Sequence, residues 1–256
     1  MFFKLDSGRL MDFILNALEQ RLPCSIVSVG ATESFVLAQY KVLSEKEFMS
    51  HPEARVANLG VKRGQLHRGI TFPNIKARDA GVNALRKADI VGYNILIKDM
   101  HSGLLTEKVF AAYRIKPKYI FEAYLRRVIM FSQREKFMRM LYKRRILLIC
   151  GYAAELAAAL ERKWKPFLNF EIAGTIKIHS FENIPRVKKE LDKYDFDLCL
   201  LAAGINAVIL AVYIAEKYGK VAFDLGQGME SLISGKVVDE GGFLEKTIGI
   251  QRLMSM

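Results

Sequence analysis

From Arg145 to Gly226 the chain alternates short apolar runs with helical stretches, a break between each. "RILLIC" leads into "AAELAAALERK", "FEIAGTIKI" into "IPRVKKELDKY" and "DLCLLAA" into "NAVILAVYIAEKY", ahead of a last run, "KVAFDLG". Several of these runs are apolar at successive positions instead of alternate ones, the mark of a strand covered on both faces. Strands separated by helical crossovers pair in parallel, and the helices supply the cover. This rhythm predicts an α/β fold, a Rossmann-like and mostly parallel sheet with helices on both faces. Neither a linker nor an internal repeat interrupts it, so residues 1–256 are expected to form a single domain.

The first half follows the same rhythm less regularly. Leu10, Phe13, Ile14, Ala17 and Leu18 recur at helical spacing, giving an opening helix that ends near Pro23. "SIVSV" then reads as a buried strand, and "ESFVLAQYKV" and the stretch from Ser44 to about Asn58 as helices. After Pro73, "NIKARDAGVNALRKA" reads as a helix, "DIVGYNIL" as a strand and "LTEKVFAAYRI" as a helix with Thr106 as a candidate cap. "KYIFEA" is a candidate strand, and Tyr124 to Tyr142 is largely helical. Between them, Gly60 to Asn74 is Gly-rich and basic and follows neither period. It reads as a long loop, of the kind that often carries function.

One run, "LCLLAAGINAVILAVYIA", has the length of a membrane span. Gly204 and Asn206 fall inside it, and Asp197 and Glu216 flank it, so a buried strand followed by a buried helix is the better account. The N-terminus alternates polar and apolar residues and lacks the core of a secretory signal. Cys24, Cys150 and Cys199 sit in or beside apolar runs without CxxC spacing, which argues for reduced, buried thiols. Together these features lead to the expectation of a cytoplasmic protein. The net charge of +12 predicts attraction to polyanions, anionic lipid or phosphorylated small molecules. In "REKFMRMLYKRR", Phe137, Met140 and Leu141 share one face, which can lie on an anionic membrane, at its inner, cytoplasmic side, or pack on the sheet.

In a parallel sheet ligands bind beyond the carboxyl ends of the strands. Three junctions, "VSVGATES", "LICGYAAE" and "LAAGINAV", place Gly30, Gly151 and Gly204 between a strand and a helix start, where free N–H groups favour phosphate oxygens. None is a dinucleotide fingerprint or a P-loop. Asp224 closes the last strand, with Glu230 shortly after. A carboxylate there can bind a ribose, hold a metal, take a proton or cap the following turn. Arg63, His67 and Arg68 make the long loop a cationic candidate lid over a diphosphate, or a solvated surface loop. The four histidines lack metal-ligand spacing, and there is no nucleophile elbow or nucleic-acid-reading motif.

The junctions taken together resemble the GT-D-type glycosyltransferases over most of the chain, from about Pro23 to Glu230. That family opens with Arg-x-Gly-Asp-Gly-Glu, whose Asp and Glu bind a divalent metal with a nucleotide-sugar diphosphate, and closes on a strand ending in Asp-[IL]-Gly-His. Here Gly30, Ala31, Thr32 and Glu33 stand at Gly-Asp-Gly-Glu, and Asp224, Leu225 and Gly226 match the closing motif. The departures include Ala31 for the metal-binding aspartate, Ser28 for the arginine and Gln227 for the histidine.

The resemblance implies sugar transfer from a nucleoside-diphosphate sugar to a glycan, lipid-linked or protein acceptor. It implies Glu33, Asp224 and Glu230 as catalytic candidates, with Glu33 also the metal candidate. Gly30, Ala31, Thr32, Arg63, His67, Arg68, Gly151, Gly204 and Asn206 are the implied donor-binding residues. The missing aspartate leaves three versions open. A weakened Mn²⁺ or Mg²⁺ site can persist on Glu33, cations can take over the metal's electrostatic task, or the chain can be a silent nucleotide-sugar-binding or scaffold relative. A nucleic-acid-binding protein, supported by charge alone, is the remaining alternative.

Overall fold

A computed structural model of the chain describes residues 2–62 and 69–256. Eight strands form one all-parallel sheet: β1 (Phe3–Leu5), β2 (Cys24–Val29), β3 (Ile90–Tyr93), β4 (Tyr119–Glu122), β5 (Arg145–Cys150), β6 (Glu171–Lys177), β7 (Leu198–Ala202) and β8 (Val221–Asp224). Their order is β1-β4-β3-β2-β8-β7-β5-β6. The first four strands therefore make one half of the sheet and the last four the other. The halves join where Cys24, Ser25 and Ile26 of β2 pair with Val221, Ala222 and Phe223 of β8.

The central strands are buried on both sides, and their side chains divide by the two-residue period. Val27, Val29, Leu147, Ile149, Cys199 and Leu201 enter one core; Ile26, Ile146, Leu148, Cys150, Leu198 and Leu200 enter the other. Over the first face lie α2 (Ala31–Ala38), α3 (Glu45–Ser50), α4 (Pro52–Lys62), α5 (Ile75–Leu85), α6 (Gly103–Tyr113), α11 (Ile184–Leu191) and α12 (Ile205–Tyr218). The second face carries α1 (Ser7–Gln20), α7 (Leu125–Ser132), α8 (Arg134–Leu141), α9 (Ala153–Lys163), α10 (Lys165–Leu168), α13 (Gly228–Ser234), α14 (Phe243–Thr247) and α15 (Ile250–Met254).

The suspected span resolves into β7 and α12, and among the described residues no helix is long and apolar enough to cross a membrane. All three cysteines are buried and unpaired. Three local expectations need correction. Thr106 is not a cap: it lies inside α6, wholly buried, and its hydroxyl donates back to the Ser102 carbonyl at 2.9 Å. The apolar face of α8 packs on the sheet and is not open to a membrane, because Phe137, Met140 and Leu141 are fully buried in the second core. The stretch read as a loop from Gly60 begins as helix, since α4 runs to Lys62.

Candidate functional site

The strand ends at the seam between the two half-sheets surround a cavity of about 700 Å³. Gly30 directly follows β2 and serves as the N-cap of α2. The Glu33 side chain folds back so that Oε2 accepts the Gly30 N–H at 2.9 Å. This one-way cap, since Gly30 has no side chain to return the bond, fixes the carboxylate at the mouth of the turn and satisfies a backbone donor left over at the helix start. Its second oxygen faces the neighbouring junction: a Cβ on Gly204 would lie 3.2 Å from Glu33 Oε1. Gly204 itself has φ of 57°, a conformation that side chains with a Cβ disfavour. "GATE" and "AAGIN" thus meet across the cavity, as a two-junction site requires.

Asp224, at the end of β8, is almost completely buried. Its Oδ2 accepts from the Ser28 backbone N–H at 3.2 Å and from Arg126 Nη1 at 3.0 Å. Arg126 belongs to α7, in the opposite half of the chain, and its Nε also donates to the Ala123 carbonyl at 3.1 Å. Removal from water raises the Asp224 carboxyl to about 6; the Arg126 charge opposes this shift and Glu33 adds to it. The glycines after Asp224 make room for the guanidinium. A Cβ on Gly226, where φ is 52°, would come within 2.5 Å of Arg126 Nη1.

Around this pair the cavity is lined by Ala31, Thr32, Asn206, Arg127, Tyr124, Tyr152 and Glu230, among others. Arg127 pairs with Gln227 and donates to the Val238 carbonyl at 3.3 Å. Gln227 in turn donates to Glu240 at 3.2 Å. Glu230 is half-buried; burial raises its carboxyl, Glu240 raises it further and Arg127 opposes them. The Asn206 side chain is buried, and its Oδ1 accepts no hydrogen bond among the described residues. A buried acceptor on a cavity wall costs free energy unless something donates to it.

The site expectations therefore fall into three groups. Gly30, Ala31, Thr32, Glu33, Gly204, Asn206, Asp224 and Glu230 all line this one cavity. Gly151 directly follows β5 beside it, where the adjoining Tyr152 lines the wall in its place. Arg63, His67 and Arg68 lie outside the described residues. Arg126, Arg127, Tyr124 and His179 also line the cavity without having been expected there. Arg126 and Arg127 sit at the start of the stretch from Tyr124 to Tyr142 read as largely helical, and the only sequence hint of a close neighbour for Asp224 is the glycine pair Gly226 and Gly228 after it, which does not say which residue that neighbour is. Both glycines abut Arg126.

As a metal site the arrangement is poor. Ala31 provides no ligand, Glu33 commits one oxygen to a backbone N–H, and the Asp224 Oδ2 is held by Arg126 and Ser28. Among the described residues no group of three or more His, Cys, Asp or Glu gathers in a way that could hold an ion.

A family model described as GT-D-like, a GT-D fold-like domain, matches residues 5–232. Among solved structures, the chain is similar to a selenomethionine-substituted structure of domain of unknown function 1792. The identity is 13% and the TM-score 0.54, over 92% of this chain and 83% of that one. A second structure, described as "The highly conserved domain of unknown function 1792 has a distinct glycosyltransferase fold", aligns at 13% identity with a TM-score of 0.46, over 88% of this chain and 87% of that one. No curated protein matches.

Proposed function

The chain belongs to the GT-D-like family, and from that premise we propose that it transfers a sugar from a nucleoside-diphosphate donor to an acceptor hydroxyl. The observation that carries this reading is the convergence of the two helix-opening turns, at Gly30 and Gly204, with Asp224 around one 700 Å³ cavity. Its size suits a nucleotide sugar, and cavities of this kind at strand carboxyl ends are the ligand sites of parallel sheets.

In this reading the diphosphate lies against the first turn of α2, where the backbone N–H groups of Ala31 and Thr32 favour anionic oxygens. Asn206 Oδ1 accepts a hydroxyl or amide proton of the donor. As the glycosidic bond to phosphate breaks, negative charge grows on the leaving diphosphate, and Arg126 and Arg127 stabilise it. The acceptor oxygen bonds to the anomeric carbon as the diphosphate leaves, and Glu230, with its raised carboxyl, accepts the proton of that hydroxyl. Asp224 holds Arg126 in position. No step runs through a metal ion: Glu33 shapes the turn and keeps a carboxylate beside the sugar. Mn²⁺ or Mg²⁺ on Glu33 would instead make turnover fall in chelator.

The experiment is release of nucleoside diphosphate from a panel of nucleotide sugars, with and without chelator, for the unaltered chain and Glu230→Gln. Release that persists in chelator and falls about a hundredfold in Glu230→Gln supports the reading, the lower end of what a general base contributes. Binding without release from any donor would favour the second reading, a silent nucleotide-sugar-binding relative, for which Ala31 is the specific observation. The acceptor, whether glycan, lipid-linked or protein, is to be sought after the donor is known.

A further inference from the structure

The opposite edge of the sheet, where the strands begin, carries a second cavity of about 450 Å³. It is formed where α1 enters β2, α8 enters β5 and α12 enters β8, and its lining includes Arg21, Lys143, Arg144, Arg145 and Lys220 against one carboxylate, Asp197. That carboxylate is already satisfied: Oδ1 accepts from Arg145 Nη2 at 2.9 Å and Oδ2 from the Arg145 backbone N–H at 3.0 Å. Lys220 stands 3.8 Å from Asp195, outside the cavity. Arg21, Lys143 and Arg144 have no side-chain ion pair among the described residues.

Cations near helix C-termini complement the helix dipole, and here Arg21 caps α1 and Lys220 follows Gly219, the cap of α12. The dipole does not explain Arg144, whose Nε is buried with no acceptor among the described residues. A buried guanidinium donor without an acceptor is costly, and an anion entering the cavity would relieve it.

Exposed apolar side chains stand beside these cations. Leu22 in the lining is 50% exposed, Tyr142, next to Lys143, 46%, and Phe167, 75%. Phe167 is held near by the Lys143 N–H, which donates to the Leu168 carbonyl at 3.0 Å. Unpaired cations around a pocket, with an exposed leucine in its lining and two exposed aromatics on the adjoining segments, match the chemistry of a bilayer surface. The cations meet phosphate headgroups and the rings enter the interface.

We infer that this edge is a docking face for an anionic lipid bilayer, with a headgroup phosphate seated among Arg21, Lys143 and Arg144. The face shares no residue with the seam cavity, so the inference stands or falls apart from sugar transfer. The six residues of β5 span about 20 Å, so a docked chain would open its seam cavity away from the bilayer.

The test is sedimentation of the full chain with phosphatidylcholine vesicles, with and without phosphatidylglycerol. The expected result is binding only to the phosphatidylglycerol vesicles, weakened by salt. Binding should fall roughly tenfold or more in Lys143→Glu/Arg144→Glu, and by a smaller factor in Phe167→Ser. Lys46→Glu/Lys189→Glu, with the same net charge and exposed positions on other elements, should bind like the parent. Thermal melting establishes that each variant is folded; if the double variant is not, Lys143→Gln, at an exposed position, takes its place. Equal losses in both double variants, or no vesicle binding, would overturn the inference. So would inorganic phosphate bound at Arg144 by a chain that ignores vesicles, since the source would then be a soluble phosphate.

Discussion

Asp224 concentrates the energetics of the seam cavity in one side chain. Burial raises its carboxyl to about 6, so the native chain holds this proton more tightly than the unfolded chain, where the group titrates near 3.8. Its contribution to stability is therefore fully present below about pH 4 and is lost as pH rises through about 6, by about 3 kcal/mol at most. Asp224→Asn removes the titration at nearly constant volume but leaves Arg126 without a carboxylate at all pH values. The stability advantage of the parent over Asp224→Asn should accordingly shrink between pH 4 and pH 6 in urea titrations; an advantage that grows over that range would contradict this account. Glu33 gives a different signature, because glutamine can still accept the Gly30 N–H through its amide oxygen. Glu33→Gln should cost less than about 1 kcal/mol of stability, yet lower donor turnover by about tenfold or more through loss of the charge beside the sugar. Full turnover in that variant would remove Glu33 from the site. The family motif made Glu33 and Asp224 legible in the sequence. Arg126 was not, because its partnership with Asp224 spans 98 positions and depends on how the two half-sheets meet.

The strand–helix rhythm of the second half was legible because each central strand is covered twice and so leaves an unbroken apolar run. Where that cover thins, the signal fades. β1 is three residues long at the sheet edge with Phe3 exposed, so it offers neither length nor pattern to read. α13, α14 and α15 are short helices after the last strand, with too few turns to establish a period. The α7–α8 region reads as a single helical stretch, although Gln133, at φ −121° and ψ 43°, divides it. The turn from β8 into α13 is the element on which the site depends most. Gly226 combines a positive φ with a position where a Cβ would meet the Arg126 guanidinium at 2.5 Å. Gly226→Ala should therefore destabilise the chain by about 1–3 kcal/mol through backbone strain and crowding. It should also weaken donor binding by displacing Arg126 from Asp224. A variant as stable as the parent, with donor binding intact, would show that the turn tolerates more than this geometry allows.

At the scale of the whole molecule the two edges of the sheet have different chemistry. The strand ends carry the seam cavity, where carboxylates and arginines are interleaved. The strand starts carry a pocket of Arg21, Lys143, Arg144, Arg145 and Lys220 against Asp197 alone. The charge of +12 was visible in the sequence, but its location was not, because these cations come from three separate helix-to-strand junctions. The central claim is that the seam cavity binds a nucleotide sugar through the residues that converge there. The most direct measurement is calorimetric titration of the chain with a panel of nucleoside diphosphates and nucleotide sugars in chelator, repeated with Asn206→Leu. The account predicts saturable, one-to-one binding of at least one nucleotide sugar in chelator. Binding should be weakened about tenfold or more in Asn206→Leu, which leaves the ligand's donor without its acceptor. No binding by the folded parent across the panel, or undiminished binding by Asn206→Leu, would contradict it.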